Sequence, residues 1–327
     1  MRASRLVPLV ALIIGLCAAR LVTESEPADK VYRVGTLTAA WAANHPSVEG
    51  LKAGLEAMGF QEGRDVVFEH RFTEGDLKAL PAAAASLVAA RVDLIFASSE
   101  NATLAATATT TSLPIVFVNV GDPVAVGVVK AIGHPGGNVT GISNLSTELA
   151  PKRLELLKEL VPNLRRVWAI YDATDTPEAR AATRSASLAS TTLGLEFHER
   201  PVRTAQELAA VLAAVRPGDA FFVHERATSL DIPAQILKAS LPTRAPTVFS
   251  SAFWIQYGAL LSYGAPYHEV GIQAASLVAK IFRGRRPQDL PVEGANQIRL
   301  VINLKTVKAL GLTIPQTMLL RADQVIE

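Results

Sequence analysis

Short apolar runs alternate with amphipathic stretches along the chain from residue 31 to about residue 250. The first apolar run, 31–37, has the length of a β-strand, and residues 47–58 carry a helical pattern that ends before Gly59. Alternation of this kind predicts a parallel sheet that helices cover on both faces. Further strands are predicted at 66–72, 94–98 and 115–120, and further helices at 77–90 and 101–111.

A Gly/Pro-rich turn at 133–138 interrupts this rhythm and leads directly into a strand at 139–144. The alternation then starts again. Two similar halves in one chain predict two lobes of the same architecture with a cleft between them. The second series is predicted as helices 148–160, 177–193, 205–215 and 232–239 and strands 166–171, 195–202, 220–224 and 247–251.

Beyond residue 251 only a strand (259–264), a helix (268–282) and a last strand (298–304) are predicted, which is too little for a third domain. The chain is therefore expected to cross back to the first lobe and to return to the second, which gives a three-crossover hinge. The predicted fold is α/β, with two Rossmann-like lobes built on parallel sheets. The expected division is 1–29 as signal peptide and linker, 30–143 plus 254–290 as lobe 1, and 144–253 plus 291–327 as lobe 2.

The N-terminal segment has the pattern of a secretory signal peptide: Arg2 and Arg5, an apolar run over 6–19, then a polar stretch over 23–30. The run of about fourteen residues is shorter than the roughly 20 that span a bilayer, although an uncleaved anchor is an alternative. Cys17 is the only cysteine and allows a second alternative, a lipid anchor, but Leu16 precedes it where a small residue is usual. We expect export to the periplasm.

Composition and motifs exclude several classes of function. The chain has 32 Lys plus Arg and 30 Asp plus Glu, so no excess of positive charge indicates a nucleic-acid partner. The six His residues are widely separated, and HExxH, Gly-x-Ser-x-Gly, the P-loop and GxGxxG are all missing. We therefore expect a binding protein without catalytic activity, cofactor or metal.

Four motifs carry a resemblance to a known family. The motifs are PIVFVNVGDPV at 114–124, HPGGNVTG at 134–141, KRLELLKELVP at 152–162, and LVINLKT at 300–306 followed by ALGL at 309–312. With these motifs the chain resembles, essentially from residue 31 to 327, the ABC transporter substrate-binding proteins that include tryptophan- and tyrosine-binding members.

The resemblance implies the type I periplasmic-binding fold, with a small-molecule ligand held between the lobes. It also implies a monomer whose closed form docks on an ABC permease, with its ATPase, in the inner membrane. A ligand-sensing module that reports to a membrane receptor is the alternative, since the same lobes serve both roles. We expect an amino acid or a related carboxylate as ligand.

In the first lobe, polar residues follow the carboxyl ends of predicted strands, where open parallel sheets bind ligands. Ser98, Ser99 and Asn101 lie where a strand turns into a helix, and suit either an anion or an ordinary helix cap. Asp122 either pairs with a ligand ammonium group or shapes its turn. Asn144 lies on the first crossover, where its side chain can bridge the lobes.

The second lobe offers Tyr171 and Asp172 at one strand end and Phe249 and Ser250 at another. Glu225 follows an apolar strand and either recognises an ammonium group or pairs with Arg226. Trp41, in the opening loop of the first lobe, either stacks on a ligand or covers the lobe edge. Relatives usually carry small residues at Trp41 and a different turn at 224–226, so the ligand can differ from theirs.

Overall fold

The computed structural model describes residues 30–40, 44–173, 177–224 and 230–327. The predicted signal segment 1–29 lies outside this range. Two β-sheets organise the described residues, and we call the part of the chain around each sheet the first and the second lobe. None of the helices within the described residues is long and apolar enough to cross a membrane.

The first sheet has six parallel strands in the order β11-β5-β4-β3-β1-β2. This confirms the predicted parallel sheet, with β11 as an additional short edge strand. The strands are β1 (Tyr32–Thr38), β2 (Val66–Phe72), β3 (Leu94–Ser98), β4 (Ile115–Val120), β5 (Val139–Ser143) and β11 (Glu293–Gly294).

The second sheet has seven strands in the order β13-β12-β10-β9-β8-β6-β7. All neighbouring pairs in it are parallel except β10 and β12, which run antiparallel. The strands are β6 (Arg166–Asp172), β7 (Glu196–Val202), β8 (Asp219–Phe222), β9 (Thr247–Phe249), β10 (Leu261–Gly264), β12 (Arg299–Asn303) and β13 (Gln324–Ile326).

Helices cover both faces of each sheet. Apolar side chains alternate along the strands, so that Val34 of β1 packs under α1 and α8 whereas Leu37 packs under α2 and α3. The second sheet has α4, α5, α9 and α10 on one face and α6 and α7 on the other. The helices are α1 (Pro46–Ala57), α2 (Leu80–Ala89), α3 (Glu100–Thr109), α4 (Ala150–Leu160), α5 (Pro177–Thr192), α6 (Ala205–Ala214), α7 (Ile232–Thr243), α8 (Tyr267–Phe282), α9 (Leu304–Leu310) and α10 (Gln316–Arg321).

The chain passes between the two sheets three times, as predicted: after β5, after β10 and after β11. The strand pairing differs from the predicted division in two places. β10 pairs with β9 and β12, so residues 261–264 belong to the second sheet although lobe 1 was predicted to resume at residue 254. β11 pairs with β5, so residues 293–294 belong to the first sheet and the third crossover comes later than predicted.

Arg153 of α4 forms hydrogen bonds to the chain at two of the crossovers. Its Nε donates to the carbonyl oxygen of Tyr263 at 2.7 Å, and Nη1 donates to the carbonyl oxygen of Ser146 at 3.0 Å. Ser146 lies on the first crossover, and Tyr263 lies in β10, just before the second. The guanidinium of Arg153 therefore links the two crossover segments at the hinge, and Arg153 is only 2% exposed.

Candidate functional site

Both sheets have a topological switch point, which is where doubly wound folds bind ligands. In the first sheet the chain proceeds from β1 to β2 in one direction and from β1 to β3 in the other. The helices that follow β1 and β3 therefore lie on opposite faces and leave a crevice at the carboxyl ends of these strands. Those ends are level, because Thr38 pairs with Ser98. In the second sheet the equivalent crevice lies between β6 and β8.

Four polar residues form a hydrogen-bonded network beside the first crevice. The amide nitrogen of Asn119, at the end of β4, lies 3.0 Å from Ser47 Oγ and 3.3 Å from Ser98 Oγ. Ser98 Oγ in turn lies 3.4 Å from Nδ1 of His45. Ser47 and Ser98 are buried, and His45 and Asn119 are half-buried. We call this set the His45 network.

The imidazole of His45 is neutral at the pH values near 7 where most proteins work. Its Nδ1 accepts a hydrogen bond from the backbone N–H of Ser47 at 3.2 Å, which makes His45 the N-cap of α1, with Pro46 as the first helical residue. Burial lowers the pKa of His45 to about 4, because desolvation penalises the imidazolium form. The network therefore presents hydrogen-bonding groups and no cation of its own.

Strained backbone accumulates at this edge of the first sheet. Ser99, Asn119 and Leu145, which follow or end β3, β4 and β5, have φ values of 140°, 60° and 56°. Residues other than glycine rarely adopt such angles, and strain of this kind concentrates at ligand sites. The end of β2 adds a fourth case, Glu74 with φ 51°. The carboxyl edge of the first sheet is thus the part of this lobe where local structure departs most from regular geometry.

Helices α1 and α8 run parallel and bring their N-termini together at this edge. A Cβ on Gly50 would lie 1.9 Å from the carbonyl oxygen of His268, and one on Gly271 would lie 2.1 Å from that of Ser47, so the two glycines permit the close approach. The ring of Tyr267, at the start of α8, lies 5.3 Å from that of His45. Two aligned helix dipoles make the surroundings of His45 favourable for negative charge.

In the second lobe, β6 ends in Tyr171 and Asp172, which are 9% and 6% exposed and lie at the second switch point as predicted from the sequence. His224 follows β8 on the other side of that crevice and is half-buried. The structure thus brings one predicted pair, Tyr171 and Asp172, to the expected edge of the second sheet.

The predicted residues of the first lobe that the structure describes lie near its carboxyl edge, and three of them have local structural partners. Ser99 Oγ accepts from the backbone N–H of Ala102 at 3.3 Å, Asp122 Oδ1 from that of Ala125 at 2.9 Å, and Asn144 Oδ1 from that of Ser146 at 3.0 Å. For Ser99 and Asp122 these are the capping and turn roles considered from the sequence, whereas the role predicted for Asn144 was a bridge between the lobes and not this local bond. Ser98 belongs to the His45 network, and Asn101 lies on the first turn of α3.

The remaining predicted residues differ in position. Phe249 is fully buried in the core under α6 and α7, with its ring 5.7 Å from that of Trp254, which is a packing position rather than a cleft surface. Ser250 follows β9 and is half-buried. Trp41 and Glu225 lie outside the described residues, so their ligand contacts stay predictions.

Sequence reasoning missed His45, Ser47, Asn119 and Tyr267 as members of a site. A usable signal was present for His45, since a polar residue followed by Pro and an amphipathic stretch indicates a helix N-cap after β1. Asn119 lies in a segment that was considered, but the charge of Asp122, three residues on, drew the interpretation to Asp122 instead.

Comparisons with known proteins agree with this architecture. The family model described as "ABC transporter substrate binding protein" matches residues 41–326. The two-sheet fold is that of type I periplasmic-binding proteins.

Individual relatives cover most of the chain. A tyrosine-binding protein of Clostridioides difficile is 28% identical over 274 residues, which are 82% of this chain and 78% of that protein. A solved conserved domain protein from Vibrio cholerae is 28% identical with a TM-score of 0.83, over 90% of this chain and 100% of that one. A solved domain from Streptococcus pneumoniae in complex with L-Trp is 25% identical with a TM-score of 0.82, over 91% and 100% of the two chains.

Proposed function

Because the chain belongs to the ABC transporter substrate-binding protein family, we propose that it is the extracytoplasmic solute-binding protein of an importer and that it captures an amino acid between its lobes. The observation that carries the proposal is the likeness, over most of the chain, to one relative named for binding tyrosine and another solved with L-Trp. L-tyrosine and L-tryptophan are therefore the first candidate ligands.

The site geometry supports a ligand with both polar and apolar parts. The carboxyl edge of the first lobe supplies the His45 network and two aligned helix N-termini, and that of the second lobe supplies Tyr171 and Asp172. Groups of this kind suit the carboxylate and ammonium groups of an amino acid. The ring of Tyr267 adds an aromatic surface beside His45.

The predicted signal segment and the family together support a working cycle. We infer that residues 1–29 direct export to the periplasm, that ligand closes the lobes about the three-crossover hinge, and that the closed form delivers ligand to an ABC permease driven by its ATPase. Binding, without chemical conversion of the ligand, is the activity that this cycle needs.

A thermal-shift panel of L-amino acids, small organic acids and neutral sugars tests the ligand class. A ligand present at one hundred times its Kd stabilises the folded protein by about 2.7 kcal/mol, which is readily measured. We expect shifts with L-tyrosine, L-tryptophan or another amino acid, followed by a calorimetric Kd. Shifts with sugars alone would contradict the amino-acid proposal.

The transport role needs a separate test in the source cell. We expect deletion of the gene to abolish high-affinity uptake of the radiolabelled amino acid found in the panel, and the protein to be found in the extracytoplasmic fraction. Uptake that is unchanged while the cell loses a transcriptional response to the same amino acid would favour the sensory role instead.

A further inference from the structure

We propose that His45 and Asn119 are the specificity-determining pair of the first lobe, with His45 Nε2–H donating to the carboxylate of the ligand and Asn119 Oδ1 accepting from its ammonium group. This inference rests on the proposed amino-acid function and assigns two of its contacts.

The direction of every hydrogen bond in the His45 network follows from one fixed donor. The backbone N–H of Ser47 can only donate, so Nδ1 of His45 accepts and the single proton of the neutral ring is on Nε2. Ser98 Oγ lies 3.4 Å from that same Nδ1 and can only donate to it, so the two donors share the single lone pair of Nδ1 in a three-centre hydrogen bond. The one hydroxyl proton of Ser98 is then used, and Ser98 Oγ must accept from Asn119.

The orientation of the Asn119 amide is fixed by the same reasoning. Its nitrogen faces Ser98 and Ser47, to which it donates at 3.3 Å and 3.0 Å, and both of its protons are thereby used. Its oxygen, Oδ1, is buried and has no hydrogen-bond partner among the described residues. Burying an acceptor without a partner destabilises a folded protein, so a donor is expected at this position.

Two groups of the network therefore remain for a ligand. One is the Nε2–H of His45, for which the described residues supply no acceptor, and the other is Oδ1 of Asn119. The donor lies where the aligned N-termini of α1 and α8 favour negative charge, which assigns it to the carboxylate. The acceptor, at the end of β4, is left for the ammonium group.

Three probes separate the two contacts: L-tyrosine, tyramine, which lacks the carboxylate, and 3-(4-hydroxyphenyl)propionate, which lacks the ammonium group. We expect His45→Leu to weaken L-tyrosine binding about 10- to 100-fold and tyramine binding by a clearly smaller factor. Asn119→Ala should weaken L-tyrosine binding by a similar factor, about 10- to 100-fold, and binding of the propionate by a clearly smaller factor. His70→Leu, at another half-buried histidine, is the matched control and should change none of the three Kd values.

A measurement on the wild-type protein tests the same assignment without depending on whether the variants fold. In long-range ¹H–¹⁵N spectra of histidine-labelled protein at pH 7, we expect His45 to be the Nε2–H tautomer and its Hε2 resonance to shift on addition of L-tyrosine. An Nδ1–H tautomer, or equal losses for all three probes in both variants, overturns the assignment while leaving the proposed function intact. A wild-type protein that binds no amino acid overturns both.

Discussion

The buried His45 should make the stability of the protein depend on pH in a predictable direction. Its pKa falls from 6.5 to about 4 on folding, a difference worth about 3 kcal/mol. Between pH 6.5 and pH 4, the imidazole of His45 is therefore protonated in the unfolded chain but neutral in the folded protein. The contribution of His45 to stability is complete above pH 6.5 and is lost as the pH falls through this window.

The perturbation that tests this is His45→Asn, because an Asn side chain can still accept from the Ser47 N–H and cap α1. Urea unfolding, followed by tryptophan fluorescence at pH steps from 7.5 to 4.0, gives the free energy of unfolding at each pH. We expect the wild type to lose about 3 kcal/mol more than the variant across the window.

The exposed His134 supplies the control, since His134→Asn should leave the pH dependence of the wild type unchanged. Burial also lowers the pKa of His70, so part of the wild-type dependence should survive in the His45 variant. Parallel stability curves for wild type and His45→Asn would refute the reasoning, because they would show that His45 titrates alike in the folded and unfolded states.

Two further predictions concern packing at the site and the hinge. Gly50→Ala should cost at least about 2 kcal/mol in unfolding free energy, because the added Cβ meets a backbone carbonyl oxygen at 1.9 Å. The control is Gly133→Ala, which has open space around it and should change the unfolding free energy by no more than about 0.5 kcal/mol. Equal effects of the two substitutions would contradict the close approach of α1 and α8. Arg153→Leu should cost about 3 kcal/mol in unfolding free energy, because one buried and one partly buried carbonyl group lose their donor. Lys152→Ala, on the exposed side of α4, should cost less than about 1 kcal/mol. Urea unfolding measures both variants, and an Arg153 variant as stable as the wild type would refute the link that Arg153 makes at the hinge.

The sequence was sufficient for the sheets because their strands are buried on both faces. Runs such as 94–97 and 115–118 are apolar throughout, and only a sheet covered by helices on both sides requires this. The division of the C-terminal third was harder to predict. A strand of four residues such as β10 carries no mark of the sheet that it joins, since partner choice depends on contacts with β9 and β12 that are distant in sequence.

The candidate site shows even more clearly that contacts between residues distant in sequence cannot be predicted from the sequence alone. The sequence locates strand ends, and the rule that ligands bind there pointed to Ser98 and to the segment that contains Asn119. It favoured charged residues, however, because charge is visible in a sequence, whereas the direction of a hydrogen bond is not. Asp122 closes its own turn, and the neutral Asn119 is the residue left with a buried acceptor. That difference depends on one backbone N–H, that of Ser47, which fixes the histidine tautomer and through it the whole network.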